Sequence, residues 1–178
     1  MADKLTTVPH PFKQSPRKLD RDAFVGRFGA VYEHSPWIAE AVFEAGLTAA
    51  HDRPSGLHEA MKTVVEKAAR ERQLELLRAH PDLAGRLAVA GNLTAHSAGE
   101  QAGAGLDKCS PAEFARFTQL NDRYKAVFGF PFIMAIKGRT RAEILAAFEQ
   151  RLHNDPAAEF RTALDEVHKI ALFRLREL

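Results

Sequence analysis

Cys109 is the one cysteine among 178 residues. It can build neither an intramolecular disulfide nor a zinc ribbon, and a chain without disulfides fits a reducing compartment. The longest apolar run, residues 130–136, is far short of a membrane span. The opening "MADKLTTVPH" carries no apolar core of a secretory signal. Charge of one sign is also missing: 25 Lys and Arg face 23 Asp and Glu, a net charge of +2 that leaves no nucleic-acid footprint. No segment alternates apolar and polar residues at period two, which argues against a sheet. The expectation is a cytoplasmic globular protein that binds neither nucleic acid nor membrane.

Several familiar sites are absent as well. There is no G-x-x-x-x-G-K-[ST] loop, no G-x-G-x-x-G after a strand, no G-x-S-x-G elbow and no H-E-x-x-H. His80, Asp82, His96 and Glu100 contain metal-ligating types, but their spacing matches no standard ligand pattern. Asp82 reads instead as the cap of a helix starting at Leu83.

What is present is helical punctuation. Residues 1–19 hold three prolines and no periodicity, and read as a surface arm. A domain over 20–178 follows. Asp20 or Asp22 caps a helix, and Ser35 before Pro36 reads as an N-cap with proline in the first helical position. A run near 57–69 aligns Leu57, Met61, Val64 and Val65 on one face. "SPAE" from Ser110 and "TRAE" from Thr140 are capping boxes that open apolar-periodic runs. "NDP" caps a last helix from Pro156. The pattern predicts an all-α bundle of about eight helices, with one extended segment at 130–136.

Three positions invite a chemical reading. His80 closes the run "ERQLELLRAH" and precedes Pro81, which disfavours helical backbone at the residue before it. That suits an exposed imidazole able to exchange a proton near neutral pH. It suits equally a histidine that caps helix carbonyls. Ser97 and Glu100 form another S-x-x-E pair: either a capping box, or a helix N-terminus whose amides hold an anionic or carbonyl oxygen. On the last helix Arg174 falls among Phe160, Leu164, Val167, Ala171 and Leu178, whereas Arg176 points the opposite way. A guanidinium in an apolar stripe is either paired in the interior or directed at a carboxylate ligand.

Five segments in order resemble one family. They are "YEHSPW" (32–37), "HPDLAG" (80–85), "SAGEQAGAGL" (97–106), "LNDRYKAVFGFPFI" (120–133) and "EVHKIALFRL" (166–175). They are similar to the decarboxylases of 2-oxo-4-hydroxy-4-carboxy-5-ureidoimidazoline (OHCU), which form (S)-allantoin in urate degradation. The resemblance implies an all-α, cofactor-free, metal-free and homodimeric enzyme whose partner is the small-molecule substrate OHCU. It makes His80, Glu100 and Arg174 the catalytic residues. It puts substrate contacts on Pro81, on Ser97, Ala98, Gly99, Glu100 and Gln101, and on Phe132, Ile133, Met134, Ala135 and Ile136. Ala98 and Phe173 depart mildly from the family pattern. The terminal "REL" differs from an S-K-L peroxisomal signal, which keeps the expectation cytoplasmic. The competing reading is a non-catalytic all-α module that binds a purine-derived ligand.

Overall fold

The computed structural model describes residues 11–84 and 93–178. Among them are eight α-helices and no strand: α1 (Arg21–Phe28), α2 (Trp37–Glu44), α3 (Pro54–Lys67), α4 (Arg70–Arg78), α5 (Ala95–Gly103), α6 (Pro111–Phe128), α7 (Arg141–Arg151) and α8 (Pro156–Glu177). The protein is all-α. Its residues fall into two compact units, one made of the described residues up to Ala68 with Ala171–Leu178, the other of Ala69–Ile170. Helix α8 contributes to both.

In the first unit α1 packs on α2 and α2 on α3. Asp20 caps α1 by accepting the Ala23 amide at 2.8 Å. Phe24 and Phe28, four residues apart on one helical face, are buried with ring centroids 4.9 Å apart. The described part of the arm joins this core, because Phe12 is buried against Phe28 and its amide donates to the Asp52 carbonyl at 2.9 Å. The arm's basic stretch is anchored too. Arg17 pairs with Asp52 at 2.7 Å, and its guanidinium, with the Ser15 hydroxyl, holds the Asp52 carboxyl below the usual range. One expected cap moves. The cap position of α2 falls on Pro36 without a side-chain bond, and Ser35 supplies only its carbonyl, to the Ile38 amide at 3.2 Å.

In the second unit both predicted capping boxes form, Ser110 with Glu113 on α6 and Thr140 with Glu143 on α7. Asp155 caps α8 by accepting the amides of Ala157 and Ala158. The core is built around Tyr124, whose ring meets Phe128, Phe130, Phe132 and Phe148 within 4.6–5.9 Å. Residues 131–136 run without helix, turn or bend and pair with no strand, as expected for the extended segment. Among the described residues two large apolar side chains are exposed: Val127 at 51%, and, in the first unit, Leu178, which lies past the end of α8 at 36%.

Candidate active site

Helix α4 ends at Arg78, and the turn tightens into His80, whose amide donates to the Leu77 carbonyl at 3.2 Å. The exposed imidazole expected there is in fact buried, 8% exposed. The reason is that the ring folds back along its own helix, with Nδ1 3.0 Å from the Leu76 carbonyl oxygen. A carbonyl oxygen only accepts, so this contact requires the proton on Nδ1 and leaves Nε2 as the nitrogen whose protonation can change. Of the two alternatives in the sequence, the Nδ1 contact realises the carbonyl cap, and it leaves the other nitrogen out of that bond.

The turn after His80 is gripped from two helices. Ala84 has φ +48°, the left-handed region that disfavours a residue with a β-carbon. Its amide donates to Gln101 Oε1 at 2.9 Å, and Gln101 Nε2 donates to the Asp82 carbonyl at 3.2 Å. From α6, Asn121 Nδ2 donates to the Leu83 carbonyl at 2.9 Å and Lys125 meets the Asp82 carboxylate at 2.6 Å. Asp82 therefore works as an ion-pair partner. The helix it was expected to cap lies outside the described residues, as does Gly85 of the HPDLAG motif.

Helix α5 carries the "SAGEQ" residues, and here the sequence expectation needs correction. The N-cap is Thr94, whose hydroxyl accepts the Ser97 amide at 3.3 Å, so Ser97 sits inside the first turn. The Ala98 amide is likewise taken, by the Thr94 carbonyl at 2.8 Å. A competent cap three residues upstream has consumed the amides that Ser97 was expected to offer to a ligand. Ser97 is buried, Ala98 and Gly99 are exposed, and Glu100 is half-buried. Gln101 is 3% exposed, and both ends of its amide hold the turn that follows His80. The second unit thus fastens the His80 turn to the helix of Glu100.

The extended segment presents less than its five named residues. Phe132, Ile133 and Ile136 are buried, leaving Met134 and Ala135 half-exposed. The Phe132 ring stacks on Phe148 at 3.9 Å and lies 4.5 Å from the Arg151 guanidinium. Pro81, the remaining expected contact, is half-buried.

Arg174 belongs to the first unit. It is 1% exposed, and its Nη1 donates to Glu33 Oε2 at 2.7 Å and to the Val31 carbonyl at 3.4 Å. Arg176 on the same helix is exposed. The helical projection therefore separated the buried arginine from the exposed one. It gave no indication of Glu33, which sits within "YEHSPW", far away in sequence.

Sequence reasoning also missed a buried network around Glu159, which is 0% exposed. Its Oε1 accepts from the Tyr124 hydroxyl and from Arg151 Nε at 2.8 Å, and its Oε2 accepts from Asn154 at 2.7 Å. Burial, then the bond to Glu159, pushes the Tyr124 phenol far above its ordinary range, so it remains a neutral donor. No local pattern announces such a cluster, because its members come from α6, the end of α7 and the start of α8.

The sequence profile of the OHCU decarboxylase family matches residues 17–176. The chain belongs to that family. It is 48% identical over 164 residues to the 2-oxo-4-hydroxy-4-carboxy-5-ureidoimidazoline decarboxylase of Haloferax volcanii, covering 92% of this chain and 94% of that one. Against the same-named protein of Halalkalicoccus jeotgali the identity is 45% over 161 residues, covering 90% and 88%. Among solved structures, an (S)-allantoin synthase superposes with a TM-score of 0.69 at 34% identity. That match covers 90% of this chain and 51% of the other, so this chain spans about half of that longer protein.

Proposed function

We propose that this OHCU decarboxylase family member converts OHCU to (S)-allantoin and CO2 in urate degradation, as a carboxy-lyase without cofactor. The bond between the ring carbon and its carboxylate breaks, and the electron pair moves through the adjacent C=N onto a ring nitrogen. The hydroxyl then loses its proton as a ring carbonyl forms, and the carbon bearing the ureido group takes one. One proton is consumed overall. Because the substrate supplies its own electron sink, the protein has only to orient it and deliver a proton to one face. Among the described residues no group of three His, Cys, Asp or Glu side chains is set to hold a metal.

The observation that carries this reading is His80: a buried ring fixed through Nδ1 to the Leu76 carbonyl, in the motif where the family resemblance places the proton donor. Glu100 accepts a hydrogen bond from the substrate hydroxyl or a ring N–H and fixes orientation. Arg174 binds the oxygens that carry or gain negative charge. Pro81, Met134 and Ala135 line the substrate. The family resemblance also favours a cytoplasmic homodimer. Among the described residues no helix is long and apolar enough to cross a membrane.

Circular dichroism of freshly generated OHCU tests the proposal, before and after dialysis of the protein against EDTA. Rapid appearance of one allantoin enantiomer in both samples is expected, against slow racemic product without protein. Racemic product at the uncatalysed rate would favour a ligand-binding module. Loss of activity restored by a divalent metal would overturn the cofactor-free mechanism.

A further inference from the structure

Two side chains that the chemistry does not use hold one edge of the extended segment. Arg151 Nη1 donates to the Ile133 carbonyl at 2.8 Å, and Glu166 Oε2 accepts the Ala135 amide at 2.8 Å. In extended backbone, residues two apart point their N–H and C=O groups to the same edge, and the residue between them points to the other. Ile133 and Ala135 are thus tied to α7 and α8, and the peptide groups of Met134 face away from those ties. Among the described residues neither group of Met134 has a hydrogen-bond partner, although a main-chain polar group requires one from protein, water or ligand. Met134 is also half-exposed, in a segment whose other apolar side chains are mostly buried.

We propose that Arg151 and Glu166 are positioning residues that set the orientation of the Met134 peptide group toward the substrate. This inference rests on the proposed decarboxylase function and on residues 132–136 contacting OHCU. Arg151 is itself held rigidly. Glu159 binds its Nε and Nη2, the second at 2.5 Å, and the guanidinium lies over Phe132, the first residue of the contact segment. Arg151 terminates α7 and Glu159 lies in the first turn of α8, so each charge also complements its helix dipole. Planar guanidinium geometry is what lets one side chain bind a carboxylate and a carbonyl together. Glu166 is steadied by Lys169 at 2.6 Å.

The test compares Glu166→Ala, Glu166→Gln and Arg151→Lys with the wild-type protein, measuring melting temperature, kcat and KM with freshly generated OHCU. Glutamine keeps an oxygen for the Ala135 amide, whereas alanine removes it. Lysine keeps a charge against Glu159 but cannot also span to the Ile133 carbonyl. A loosened binding edge weakens ground and transition states alike, so KM should rise about tenfold in Glu166→Ala and Arg151→Lys with kcat nearly unchanged. Glu166→Gln should restore the wild-type KM. A purely structural role predicts lowered melting temperatures with KM unmoved, which would overturn the inference. Should Glu166→Ala fail to fold, Arg151→Lys gives the decisive comparison. An inactive wild-type protein would remove the decarboxylase reading itself, while an active one with unmoved KM in the variants removes only this proposal.

Discussion

The Arg174 guanidinium meets the Glu33 carboxylate at 2.7 Å across 141 positions of sequence, with side-chain exposures of 2% and 1%. Both charges are almost wholly withheld from bulk water. Breaking such a pair by removing one partner typically costs about 3–5 kcal/mol, because the survivor is left buried and uncompensated.

Arg174→Ala is therefore expected to lose both stability and activity, which makes it a poor discriminator by itself. Arg174→Lys retains a cation for Glu33 but loses the planar fork suited to a carboxylate or two oxygens. We expect it to fold and to lose at least ~10-fold in kcat/KM, a loss of about 1.4 kcal/mol in transition-state binding. Arg176→Ala, at an exposed position, should match wild type in both respects. Full turnover by Arg174→Lys would assign the arginine to structure alone.

His80→Asn separates the two nitrogens of the ring. The asparagine amide can still donate to the Leu76 carbonyl, so the end of α4 should survive with nearly native melting temperature. What disappears is a group able to exchange a proton near neutral pH. A positioned general acid or base contributes ~10²–10⁴-fold, and kcat should fall at least ~10²-fold while a stable product analogue still binds. A destabilised variant with unchanged turnover would refute the proton-transfer role.

Glu113 carries a pH signature of the fold. Hydrogen bonds from the Ser110 amide and hydroxyl, with help from Arg141, hold its carboxyl below the usual glutamate range. A depressed folded value stabilises fully above the unfolded value of about 4.3 and is lost as pH falls through the folded one. Glu113→Gln should therefore lower the melting temperature at neutral pH and flatten its decline below about pH 4.3. Thermal melts from neutral pH into this acid range measure it; an unchanged acid limb would remove the assignment.

The legible parts of the structure were those governed by nearest neighbours in sequence. Asp20, Ser110 and Thr140 cap as read, because capping needs only a side chain and an amide three residues on. The buried face of α8 follows from helical period, and with it the singling out of Arg174. Reading failed where two local solutions competed. Thr94 and Ser97 are both sound caps, and the earlier one won. His80 was expected outside the core because Pro81 bends the backbone, yet backbone direction does not fix where a ring folds, and it returned to Leu76. Glu33, Arg151, Glu159 and Glu166 were invisible for another reason. Each finds its partner through tertiary packing, and no spacing rule links residues 33 and 174 or 133 and 151.

The division into two units has a spectroscopic consequence, because the chain holds a single tryptophan. Trp37 opens α2 and is half-buried in the unit that contains Arg174. Its fluorescence therefore reports on that unit, whereas far-ultraviolet dichroism sums helices from both. Coincident midpoints from the two signals in urea would mean that both units melt as one cooperative body. An earlier fluorescence midpoint would mean that the arginine's unit opens while the histidine's stays folded, so that each unit has a stability of its own.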